Sequence, residues 1–74
     1  MNELAPVVLC RDLPDHGLEA GDVGTVVHVH DQGAFEVEFV AGTGDTLAVL
    51  TLSSDDVRRV EGREILHVRR LPST

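Results

Sequence analysis

A single small all-β barrel is the architecture this sequence predicts, and three observations predict it. Phe35, Val37 and Phe39 alternate with Glu36 and Glu38, the period-two pattern of a strand with one face buried. Thr25 to Val29 is dominated by β-branched residues and meets that strand across Asp31-Gln32-Gly33, a hairpin loop with a glycine free to take positive φ. The chain has 74 residues, enough for one domain and too few for a second core.

Each element follows in order. Val7-Val8-Leu9-Cys10, after Pro6, is a β-prone run and the expected first strand. Asp12-Leu13-Pro14-Asp15-His16-Gly17 is a loop of turn-forming residues, and Leu18 is expected to reach back beneath it. Gly21-Asp22 opens the second strand, in which Gly24 predicts a bulge or the close passage of another backbone. Ala41 to Asp45 makes a turn, and Thr46 to Leu52 a fourth strand. Its contiguous Leu47, Ala48, Val49 and Leu50 suit a strand covered on both faces or one whose outer face meets a partner. Ser53-Ser54-Asp55-Asp56 starts a short helical turn near residues 53–58, with serine capping and acids at its positive end. Val57 and Val60 return to the core, and Glu64 to Leu71 reads as an extra C-terminal strand. This is the order of an SH3-like barrel over residues 1–61, about five strands closed or nearly closed to hide their edges. Residues 62–74 form a strand or tail that packs on the barrel or on a partner, including a second copy.

Charge divides along the same line. Residues 1–57 carry eleven acids against Arg11 alone, whereas residues 58–74 carry five arginines against Glu61 and Glu64. The net charge of −7 repels phosphate backbones. The chain has no Trp and no Tyr, which removes the aromatic groove that proline-rich peptides need and the stacking platform that single-stranded nucleic acid needs. One cysteine excludes an intramolecular disulfide. The start lacks a basic, then apolar, leader, and no run approaches the roughly 20 apolar residues of a membrane span; a cytoplasmic location is expected.

The runs Arg11-Asp12-Leu13-Pro14-Asp15-His16-Gly17-Leu18, Gly21-Asp22-Val23-Gly24-Thr25-Val26-Val27, Phe35-Glu36-Val37-Glu38-Phe39 and Thr46 to Leu52 with Asp56-Val57-Arg58 carry a resemblance. Over roughly residues 5–60 the chain resembles the bacterial domain-of-unknown-function family 4926. That resemblance implies a small single-domain protein and brings no catalytic residues with it. The Gly-Asp-x-Gly-x-Val turn is also similar to that of KOW-type ribosome and transcription modules, and the strand spacing to the SH3-like domain of nitrile hydratase subunits.

Candidate sites follow from residue types. His28 and His30 share a strand face at i, i+2, with His16 and His67 available from loop and tail; imidazoles so placed could hold a divalent metal, but no recognised ligand spacing accompanies them. Cys10 is expected to be a small buried thiol, and Glu36 and Glu38 a solubilising face. Arginine without lysine supplies bidentate carboxylate contacts. The expected function is therefore non-enzymatic and cofactor-free: an acidic protein-binding module, an accessory or immunity-like partner of a neighbouring protein. The expected contact residues are Leu47, Val49, Leu66 and Val68, with Arg58, Arg59, Arg69 and Arg70 at the rim. The alternatives are a histidine site for a metal or small ligand and a KOW-like RNA-associated module.

Overall fold

A computed structural model describes residues 2–71. Five strands form one antiparallel sheet: β1 (Pro6–Leu9), β2 (Val23–Val29), β3 (Ala34–Val40), β4 (Thr46–Ser53) and β5 (Val57–Arg59). Their order across the sheet is β4-β3-β2-β1-β5. β3 is the best-paired strand, because its alternating pattern gives both neighbours a full register: Val37 faces Val26 on β2 and Leu50 on β4. The chain is all-β, with two isolated 3-10 turns at Pro14–His16 and Asp31–Gly33.

One face of the sheet carries the core. Val7 and Leu9 from β1, Val26 from β2, Phe35, Val37 and Phe39 from β3, Leu52 from β4 and Val57 from β5 are buried together, and Leu50 packs against them. Leu18 closes one end of this cluster, pairing with Leu13 across the loop as its position suggests. Gly24 is buried beneath Val37 and Phe39. The close approach expected there is mainly of side chains, and the β2 irregularity lies further on, between Val26 and His28.

That irregularity sets the outer face. Val26 pairs with Val37 but His28 with Glu36, so β2 gains one residue and the inward phase of Gly24 and Val26 is not continued by His28. A second shift lies between Phe39 and Val40, where Val40 pairs with Thr46 and Phe39 with Ala48. Leu47 is the extra residue, and its side chain is half exposed.

Three expectations are corrected. The sheet does not close into a barrel: β4 and β5 end the strand order and do not pair with each other. Residues 54–56 form a turn and not a helix, because β5 begins at Val57 and pairs at once with Leu9. Asp56 organises that turn, accepting from the Ser53 amide at 3.0 Å while the Cys10 amide donates to its carbonyl at 2.7 Å. Residues 64–71 form no strand. β-propensity is realised only against a neighbouring strand, and β5 occupies the edge of β1 for just three residues, with the Val60 amide making a last, long bond to the Pro6 carbonyl at 3.4 Å. The terminal Pro72-Ser73-Thr74 and Met1 lie outside the described residues.

Candidate protein-binding surfaces

The irregular tail is attached at two points, both made by arginine. Arg58 on β5 donates through both terminal nitrogens to the Glu64 carboxylate, one arm at 2.7 Å. Glu64 also accepts from the Glu61 amide at 2.7 Å, which closes the turn after β5. These contacts hold the Glu64 carboxyl down to about 2, the guanidinium first and the amide second.

The second attachment is Arg69, whose side chain is 23% exposed. Its Nε donates to Asp22 Oδ1 at 2.8 Å and its Nη2 to Asp22 Oδ2 at 2.8 Å, a bidentate pair. Nη2 also donates to the Gly17 carbonyl at 2.8 Å, and Glu19 stands 3.6 Å from Nη1. Gly17 turns its carbonyl outward because it ends the 3-10 turn in the left-handed region, φ 68°. Asp22 is fixed in turn by the Glu19 amide, which donates to Oδ2 at 2.8 Å. The basic tail therefore folds back on the acidic body through one residue.

Arg69 holds the Asp22 carboxyl below its ordinary value, partial burial opposes this, and the Glu19 amide adds to the lowering. A carboxylate with a depressed folded-state pKa stabilises fully above its unfolded value of about 3.9 and loses that contribution as pH falls through the folded value. The melting temperature of the wild type is expected to fall more steeply than that of Arg69→Ala between about pH 5 and about pH 3. Calorimetry across this range checks it; parallel curves would refute the pairing.

Beside Arg69 lies a cleft of about 510 Å³. Leu18 and Phe39 reach it from the core side, Val40 and Leu47 from the β3–β4 turn, and Val68 and Leu71 from the tail. Of the expected contact residues the structure brings Leu47, Val68 and Arg69 together here. Val49 stands on the outer face of β4, opposite Glu38. Arg58 and Arg59 lie on β5, at the other end of the strand order. Leu66 and Arg70 are exposed on the tail, and among the described residues Arg59 and Arg70 form no ion pair.

β4 is an edge strand of eight residues, and among the described residues no strand lies on its outer side. Leu47 is 45% and Val49 49% exposed along it. Glu36 and Glu38 line the same outer face on β3, and Glu38 accepts a hydrogen bond from the Thr46 hydroxyl at 2.6 Å.

The histidines do pair. The rings of His28 and His30 meet edge to face with centroids 4.6 Å apart, and His30 Nε2 lies 3.3 Å from Glu36 Oε1. His67 lines the cleft at the far end of β3, and His16 sits in the loop before Gly17. Among the described residues no three His, Cys, Asp or Glu side chains gather as a metal-ligand set. Cys10 is exposed, contrary to the expectation of a buried thiol. Val7 and Leu9 point inward, so the residue after them points out. Among the described residues no helix is long and apolar enough to cross a membrane.

The sequence reading missed Asp22, Glu19 and the Gly17 carbonyl as partners of Arg69. The only signal was the opposite charge of body and tail, and a separation of 47 residues carries no register. No curated protein and no solved structure matches the chain. The family described as Domain of unknown function (DUF4926) matches residues 3–59, which span the five strands and leave the tail outside the match. With more than half of its length so matched, the chain belongs to the family described as Domain of unknown function (DUF4926).

Proposed function

We propose that this protein is a non-catalytic, acidic binding module that takes an extended basic and apolar segment of a partner protein along β4. The observation that carries the reading is the exposed apolar pair Leu47 and Val49 on an edge strand whose outer side meets no other strand among the described residues. An edge offers main-chain donors and acceptors to an added strand, and side chains at alternate positions select what is added. Glu36 and Glu38 beside that edge, within a chain of net charge −7, favour a partner of opposite sign and fast association. An accessory or immunity-like role, in which a small acidic protein masks a basic neighbour, is the specific form we favour.

Three carboxylates held by arginines are unsuited to general acid work. Asp22, Asp56 and Glu64 are all held below their ordinary values, chiefly by Arg69, Arg11 and Arg58 respectively. A general acid at neutral pH needs the opposite displacement.

The test is isolation of the tagged protein from its own host, at low and high salt, beside Val49→Asp. A stoichiometric protein should be retained by the wild type at low salt and released at high salt. Loss of the Val49 contact removes about 1.5 kcal/mol of apolar burial or more, so Val49→Asp should bind at least about tenfold more weakly. Empty wild-type eluates at low salt, or equal retention by Val49→Asp, would overturn the reading.

A further inference from the structure

We propose that residues 65–71 exchange between two copies of this chain, the Arg69 guanidinium of each entering the Asp22, Glu19 and Gly17 acceptor set of the other. The proposal does not depend on the β4 reading. It starts from a mismatch within the tail. The acceptor set is built for a guanidinium: two carboxylate oxygens of Asp22 and the Gly17 carbonyl each lie 2.8 Å from a nitrogen of Arg69. The residues around Arg69 are only partly covered by the chain that carries them: Val68 and Leu71 border the cleft, yet most apolar surface of the tail stands in solvent. Ile65 is 93% and Val68 91% exposed, although both are β-prone and apolar. A strap meant only to cover its own domain would turn such side chains inward.

Exchange removes the mismatch. Glu64 is pinned to Arg58 and to the Glu61 amide, so the segment free to swing begins at Ile65. Four residues lie between Glu64 and Arg69, and the five steps from one to the other reach about 17 Å when extended. The two acceptor sets of a dimer must therefore lie close to its two-fold axis, where the tails run past one another. There Ile65, Leu66 and Val68 of one tail meet their counterparts, and the β-prone run Ile65 to Val68 finds the strand neighbour it lacks within one chain. Each copy supplies the same arginine and the same acid, so the contact is isologous and closes at two. A domain of this size has a thin core and gains from association.

Charge reversal tests this. In Asp22→Arg and in Arg69→Glu the contact within one chain is like-charged, yet across a mixture of the two variants both contacts are complementary. Light scattering after size exclusion, with cooperative melting as the folding check, gives the readout. Wild type should double in mass between low micromolar and millimolar concentration. Arg69→Glu alone should remain a monomer, and the equimolar mixture should double. Should Asp22→Arg lack a cooperative melt, Asp22→Asn replaces it and must be monomeric. A monomeric wild type at millimolar concentration overturns exchange whatever the mixture does. So does a dimer that survives Arg69→Glu or Asp22→Asn, or a mixture of folded Asp22→Arg and Arg69→Glu that stays monomeric. Val49→Asp should dimerise like the wild type, which separates failure of exchange from failure of the β4 surface.

Discussion

Val37→Asp is expected to abolish the cooperative thermal transition, whereas Glu38→Lys, one residue on, leaves the protein folded. Val37 is fully buried at the centre of the sheet, between Val26 and Leu50, and among the described residues the core holds no buried polar or charged side chain. A carboxylate placed there has no donor to meet it, and burying an unpaired charge costs several kcal/mol even after relaxation. A domain of this length has a total stability of about 4–11 kcal/mol, so the substitution takes most or all of it. Glu38 faces outward and makes one hydrogen bond, from Thr46. Its loss costs about 1 kcal/mol. Circular dichroism melts decide between the two, and the reverse ranking would place β3 in the wrong phase.

Gly24→Ala is the second large effect, and its sign runs against the usual one. An alanine at a compatible backbone ordinarily stabilises by about 0.4–1 kcal/mol, because the unfolded chain loses freedom. Here a Cβ would stand 2.6 Å from Val37 Cγ1, 2.9 Å from Phe39 Cε1 and 3.0 Å from the Glu38 carbonyl oxygen. The first two are core side chains locked by their neighbours, and the third is backbone of the central strand. Overpacking of this kind costs about 1–3 kcal/mol, a fall in melting temperature of roughly 4–24 °C for a domain of this size. An unchanged or raised midpoint would show that β3 can retreat from β2.

The strands were legible where side chains alternate against a strong contrast. Phe35 to Phe39 fixed its own face, and with it the partners on β2 and β4. Two kinds of information were not legible. The extra residues in β2 and β4 have no local marker, so the exposure of Leu47 and the outward turn of His28 follow from pairing alone. The tail failed for a different reason: Glu64 to Leu71 has the composition of a strand, but pairing depends on a free edge within reach. Its real anchor, Arg69 on Asp22, could be foreseen in sign from the charge asymmetry and not in place. Cys10 was within reach of the sequence, since the alternation Val7, Leu9 already placed it outside.

Whether a partner docks on β4 can be read residue by residue from backbone amide NMR. The protein retained at low salt is added to isotope-labelled chain, and the perturbed backbone amides are mapped. A strand added to β4 would give changes concentrated at Thr46–Ser53 and its neighbour β3, with slowed exchange of the β4 amides it engages. Changes confined to the cleft lining, Leu18, Asp22, Phe39 to Gly42, Leu47, His67 to Arg69 and Leu71, with Val49 to Ser53 unmoved, would contradict docking on β4 and assign the binding to the Arg69 cleft instead.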